Sequence, residues 1–381
     1  MRDIIVIGAG PAGSSLAHAL ARRGWDVLLV ERDTFPRHKV CGEFLSPESQ
    51  ASLSALGLLD TVAGLAPTTM RAATLTAASG RSLRVALPGD AWGVSRFALD
   101  AALARAAETA GATLRTATYA LEMEVSEVGA RVRLRAGGEM RVEHARAAVV
   151  ACGRHPARGL RARPPRAAHK TGVGVKCHIA GIAARPEVEL YLFEGGYAGL
   201  APVGGGLVNL CLLVSREAFR RAGGDPRAVI AALGRWNPAL GERLAGGQIV
   251  SETLVSVAPV DTGDEPAPWH GAARLGDAAA MIPPLCGDGM AMALRAAELC
   301  APLADALLGG RITLGAWEAA YRSAWRREFG PRLRAARVLQ AALVRPPLAE
   351  LCLRAGALVP PLARAVVHAT RGRPGAAPYS F

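Results

Sequence analysis

Asp3-Ile4-Ile5-Val6-Ile7-Gly8-Ala9-Gly10-Pro11-Ala12-Gly13 is the stretch that decides the fold of this 381-residue chain. The first five residues are apolar and rich in β-branched side chains, as a buried parallel strand requires. Ser14 to Arg23 has helical spacing with Leu16, Ala17 and Leu20 on one face, and Gly24 ends it. Val27 to Val30 reads as a second strand closed by Glu31. In such a strand–turn–helix–strand unit Gly8 permits the tight turn. Gly10 lets a pyrophosphate approach the backbone, and Gly13 lets helix and strand pack closely. Pro11 and Ala12 open the helix, whose N-terminus offers free N–H groups to phosphate. Glu31 is placed to accept hydrogen bonds from an adenosine ribose. The glycines alone allow NAD and FAD equally.

Composition narrows the class. The hydrophobic fraction of 51% and charged fraction of 20% describe a globular chain long enough for two connected domains. The net charge of +13 invites a nucleic-acid reading. Almost all of it is scattered Arg, however, with Lys only at 39, 170 and 176 and no basic block with interleaved aromatics, so no nucleic-acid partner is expected. Seven cysteines without a C-x-x-C pair argue against a zinc site or disulfide framework and for a reducing cytoplasm. The N-terminus lacks the pattern of a signal peptide. No apolar run reaches the ~20 residues of a membrane span.

Outward from the fingerprint, Phe35-Pro36-Arg37-His38-Lys39-Val40-Cys41-Gly42-Glu43 follows, and Ser46-Pro47-Glu48 reads as a helix start with Ser46 as N-cap. The glycine fingerprint, Glu31 and this Cys-Gly-Glu loop together resemble the geranylgeranyl reductase family of FAD enzymes. That family shares the p-hydroxybenzoate-hydroxylase fold with flavin monooxygenases and flavin-dependent halogenases. The resemblance implies an α/β fold: a Rossmann-type FAD-binding domain interleaved with an antiparallel-sheet substrate domain, then a C-terminal helical segment. The expected division is 1–69, 94–169 and 255–310 for FAD, 70–93 and 170–254 for substrate, and 311–381 for a helical cap.

Further motifs carry the same resemblance. Arg96 and Asp100 open a helix whose Arg lies near the flavin ribityl and pyrophosphate in the family; the segment at Ala120-Leu121 packs near the adenine there, and Arg32 is a further expected cofactor contact. Ala148 to Arg154 matches a second signature, with Cys152 where hydroxylases carry Asp. Gly276-Asp277, expected to end a strand, matches a third, in which the Asp binds the ribityl chain. Pro284 to Met290, with Gly287 and Gly289, is the turn into a helix whose N-terminus faces the flavin pyrimidine and stabilises negative charge there. These contacts suit FAD and not NAD.

Four strands between Val173 and Val214 suggest an antiparallel meander over the flavin. Within it, Tyr197-Ala198-Gly199-Leu200-Ala201-Pro202 aligns with the family's Tyr-x-Trp-x-Phe-Pro; Gly199 and Ala201 replace the two bulky aromatics and are expected to widen the cavity. Trp317, Tyr321 and Trp325 form a helical stripe that reads as core. Residues 332–371 alternate apolar and Arg-bearing faces, a packed cap or a peripheral contact with the inner membrane face.

The expected activity is reduction or desaturation of a carbon–carbon bond in an apolar substrate (isoprenoid, lipid or polyketide-like). Cys41, Glu43 and Tyr197 are the catalytic candidates, and Glu43 has Arg37 or Lys39 as its alternative partners. A monooxygenase, or less well a halogenase, acting on a natural-product scaffold is the second reading; an FAD-stabilised binding module is the third. No second glycine fingerprint follows a strand, so electrons are expected from NAD(P)H without a dedicated domain or from a ferredoxin-like partner.

Overall fold

The computed structural model describes residues 1–154, 157–162, 171–263 and 265–372. Two eight-stranded sheets frame it. In the first, parallel strands lie in the order Ala272–Arg274, Glu139–Val150, Arg2–Ile7, Val27–Val30 and Thr113–Arg115. Ile4, Ile5 and Val6 are wholly buried because both faces are covered. Leu16 and Leu20 of helix Pro11–Ala21 pack with Ile4 and Val6, while Val132 and Leu134 pack with Ile5 and Ile7.

Two elements shape the edge of this sheet. The strand that begins at Thr113 ends at Arg115, and Ala117 takes a φ of +48° before the next strand, Thr118–Ser126. Glu139–Val150 is one strand with two partners: its first half pairs antiparallel with Gly129–Ala136, and its second half pairs parallel with Arg2–Ile7.

The second sheet orders Gln248–Val260, Gly172–Ala180, Val208–Ser215, Gly196–Pro202, Glu187–Phe193, Thr68–Thr76, Ser82–Gly93 and Phe44–Leu45. All neighbours are antiparallel except Glu187–Phe193 with Thr68–Thr76. Strand Gln248–Val260 runs through the expected domain boundary at 254/255. Its pairing with Gly172–Ala180 continues to Val260, so the whole strand belongs to this sheet. The expected boundary at 169/170 lies outside the described residues.

Helix Gly289–Leu308 packs beside Pro11–Ala21 against the first sheet. Helices Leu314–Leu343, Pro346–Leu358 and Pro360–Thr370 finish the chain. Trp317, Tyr321 and Trp325 are core, and the Tyr321 hydroxyl donates to the Arg274 carbonyl at 2.9 Å. Among the described residues no single helix is long and apolar enough to cross a membrane.

The helix expected from Ser46 starts instead at Ser49. Ser46 is not its cap, because its hydroxyl donates to Asp288 at 3.1 Å and ties the two sheets' loops together.

Candidate active site

One cavity of about 850 Å³ lies between the sheets. Gly8, Gly10, Pro11, Ala12, Glu31, Arg32, Cys41, Gly42, Arg96, Gly276, Asp277, Pro284, Gly287, Gly289 and Met290 line it, together with Glu43 and Tyr197. Gly13 and Leu121 do not. A Cβ on Gly13 would stand 1.8 Å from the Gly8 carbonyl oxygen, so its role is helix–strand packing. At Leu121 the ladder slips between Ala120 and Glu122, and Thr118, Tyr119 and Ala120 take the wall instead.

The adenine end is a cradle. A Cβ on Gly10 would meet nothing nearer than the Arg96 guanidinium at 3.8 Å. Glu31 Oε2 accepts the Ala9 N–H at 2.9 Å and Arg37 at 3.1 Å. Arg96 is clamped by buried Asp100, and that carboxylate, with the neighbouring Cys41 sulfur, outweighs burial and raises its pKa.

At the other end, Gly276-Asp277-Ala278 is a 3₁₀ turn. It follows strand Ala272–Arg274 rather than ending it, with Gly276 at φ +57°. Burial raises the Asp277 pKa against the opposing charges of Arg154 and Arg96. Pro284–Cys286 makes a second 3₁₀ turn, Gly287 takes φ +66°, and helix Gly289–Leu308 begins with its first turn in the wall. A bare Gly10 shelf, a helix N-terminus at each end and one carboxylate between them fit FAD. Gly10 to Ala12 would hold the pyrophosphate, Asp277 the ribityl chain, and Gly287 to Met290 the pyrimidine.

Cys41 and Gly42 turn against this space. The Glu43 N–H donates to Cys41 Sγ at 3.4 Å, and Asn209 Nδ2 donates to the Cys41 carbonyl at 3.0 Å. Glu43 is fully buried and does not pair with Arg37 or Lys39, which turn to Glu31, Asp100 and Asp33. Its partners are Lys176 at 3.2 Å, His178 at 2.6 Å and the Arg96 N–H at 2.8 Å. With both oxygens engaged, Glu43 is an anchor for the loop.

Lys176 and His178 were not among the expected site residues. They interrupt an apolar strand at i and i+2, and Lys176 is one of three lysines in an Arg-rich chain, which are the signals that mark them.

Tyr197 is buried at the far wall beside Leu192, Leu285 and Leu343, and burial raises its pKa well above the ordinary value. Ala201 is packed by Phe44, Met70 and Ala91, so the bulk missing there is already filled. Gly199 is half-buried but does not line the cavity, and a Cβ there would lie 3.3 Å from Leu190 Cδ2, so neither position opens the expected space. Asp288, at the start of the long helix, is wholly buried between Arg332, Arg371 at 3.6 Å and Ser46. This contact joins the C-terminal helices to the loop at the cavity wall.

Residues 1–174 match the FAD binding domain family. Menaquinone reductase of Mycolicibacterium smegmatis is 30% identical over 344 residues, covering 85% of this chain and 79% of its own. The chain belongs to the geranylgeranyl reductase family of FAD-dependent oxidoreductases. Digeranylgeranylglycerophospholipid reductase 2 of Methanopyrus kandleri, 27% identical over 357 residues and covering 86% and 83% of the two chains, is a further relative. The fold extends beyond reductases: a myxobacterial chondrochloren halogenase superposes with a TM-score of 0.75 at 25% identity, covering 87% and 81%. Within the geranylgeranyl reductase family this chain keeps the Tyr and Pro of the substrate-sheet signature and lacks both of its bulky aromatics.

Proposed function

We propose that this enzyme saturates carbon–carbon double bonds in an isoprenoid chain, such as the prenyl tail of a quinone or a glycerolipid. The observation that carries this is the wall opposite the cofactor cradle. There the Cys41-Gly42 turn meets an apolar sheet face of Tyr197, Leu213, Val257 and Val260, a surface suited to hydrocarbon. Bound FAD supplies the hydride from N5. The chain's residues hold the cofactor, orient the alkene beside Cys41 and exclude water.

The reductant is NAD(P)H or a ferredoxin-like partner, and anaerobic bleaching of the flavin by NADH or NADPH separates the two. Residues 332–371 form the contact with an anionic membrane surface from which the substrate is drawn. Leu351, Leu358 and Leu362 are exposed there beside exposed Arg354 and Arg364, the mixture an interfacial helix pair uses.

The test is a single turnover without oxygen. The reduced enzyme is mixed with a menaquinone bearing an unsaturated prenyl tail. Flavin reoxidation with gain of two hydrogens in the tail is the expected result; reoxidation only after oxygen is admitted would replace this reading with a monooxygenase.

A further inference from the structure

Strand Gly172–Ala180 is two-faced. Val173, Val175, Cys177 and Ile179 pack into the second sheet's core. Lys176 and His178 point the other way, at the loop that carries Cys41. Lys176 has no exposed surface, yet its Nζ stands 3.2 Å from Glu43 Oε1 and 3.3 Å from His38 Nδ1. Glu43 Oε2 lies 2.6 Å from His178 Nε2. An apolar set of the same volume would serve stability as well or better, because desolvating such charges is costly. Glu43 also takes φ +55°, a conformation unfavourable for a residue with a Cβ. Two costly features thus converge on one loop at the cavity wall, and such costs collect at functional sites.

Beside the Glu43 carboxylate Lys176 is assigned as an ammonium, which can only donate; His38 Nδ1 is then the acceptor and the neutral ring carries its proton on Nε2. The His38 ring stacks on Phe97 at 4.7 Å and sits edge-on to His178 at 5.6 Å. Of the four residues, His38 alone is partly exposed, and it also lines the cavity.

We propose that His38 is the proton-exchange residue of this site, passing protons from solvent to the reacting carbon, with Lys176, Glu43 and His178 as its positioning residues. The proposal rests on the reductase reading for the reaction it serves. One carbon of the double bond receives the hydride with its electron pair from the reduced flavin. At the other carbon a C–H bond forms as the His38 Nε2–H bond breaks, directly or through one water. Lys176 passes a proton to Nδ1 at the same time, so the ring stays neutral. Nε2 then takes a proton from solvent and Nδ1 returns its own to Lys176, so one solvent proton is consumed per double bond.

The charged groups facing the ring are Lys176, His178 and Glu43. Arg37 and Lys39, on its own loop, are engaged by Glu31, Asp100 and Asp33. Burial first, then the Lys176 and His178 charges, hold His38 below its ordinary pKa against the pull of Glu43.

Two readouts test this on the FAD-loaded enzyme. In ¹⁵N-histidine NMR, His38 should titrate below the ordinary value as the Nε2–H tautomer, and Lys176→Met should raise its pKa and mix its tautomers. In anaerobic single turnover with the unsaturated menaquinone, His38→Gln should keep the flavin spectrum. It should also slow reoxidation by on the order of 10²–10⁴-fold and abolish the solvent deuterium effect. A wild-type rate and pH profile in His38→Gln, or an Nδ1–H tautomer in the wild type, overturns the relay. If the wild type shows the expected NMR behaviour but the menaquinone never reoxidises it, the substrate reading falls and the relay stands on the NMR result.

Discussion

Arg96 and Asp100 face each other one helical turn apart in a two-pronged contact, Nε to Oδ1 at 2.6 Å and Nη2 to Oδ2 at 2.7 Å. Asp100 is fully buried and also holds Arg37 at 2.5 Å, so one carboxylate fixes the arginine beside Gly10 and the arginine on Glu31. Removing one partner of a buried pair strands the other charges. Asp100→Asn is expected to lose about 3–5 kcal/mol of stability in denaturant titration and to weaken FAD retention as Arg96 and Arg37 lose their common anchor.

Glu31 joins the fingerprint turn to the second strand's end by accepting the Ala9 and Asp33 N–H groups at 2.9 and 3.1 Å. Its effect should fall on cofactor affinity more than on folding. Glu31→Gln is expected to weaken FAD binding about 10- to 100-fold, the value of a charged hydrogen bond. Flavin-fluorescence titration of the apoprotein measures it.

Gly199 shares a strand face with Tyr197, and a Cβ there would lie 3.3 Å from Leu190 Cδ2. A tryptophan there would have to displace Leu190 and press on the apolar cluster around Tyr197 at the cavity wall. Gly199→Trp should leave the flavin spectrum unchanged and lower kcat/KM for long prenyl tails by about tenfold relative to short ones. Equal losses for both lengths would show that this face does not gauge the substrate.

The fingerprint, the strand–helix order and the third flavin motif were legible because each is local: spacing and glycine placement within a few residues dictate the backbone. Motif likeness led to Tyr197 and Asp277, and both line the cavity. Ser46 was misread because its capping pattern is satisfied equally well by Asp288, which is distant in sequence. The widening expected at Ala201 was misread because Phe44, from another strand, fills the space. Lys176 and His178 went unread as site residues because their meaning depends on His38 and Glu43, 138 and 135 positions away.

The C-terminal pair Pro346–Leu358 and Pro360–Thr370, bent by 116°, exposes Leu351 and Leu358. In α-helices on a bilayer such residues enter the headgroup boundary while arginines meet anionic lipid. The double change Leu351→Glu, Leu358→Glu should abolish co-sedimentation with phosphatidylglycerol vesicles and leave the flavin spectrum unaltered. Added salt should weaken wild-type binding through the arginine contribution. Equal binding by the variant removes the membrane contact from the proposal.

Asp288 gives the molecule a pH dependence whose sign follows from its surroundings. Burial pushes its pKa up to about 7, Glu48 beside it adds to the rise, and Arg332 and Arg371 oppose it. Glu48 moves the opposite way: the Asp288 hydrogen bond and the arginines outweigh its own burial and lower it. An unfolded Asp titrates near ~3.9, so between there and about 7 the folded chain holds a proton that the unfolded chain releases. Stability contributed by this site is full below that window and falls as pH rises through it. Above the window the charged carboxylate is held by Arg332, Arg371 and the Ser46 hydroxyl. Asp288→Asn removes the titration, and its melting temperature should stay flatter than the wild type's from pH 5 to 8. An unchanged slope in Asp288→Asn would assign the dependence to another group.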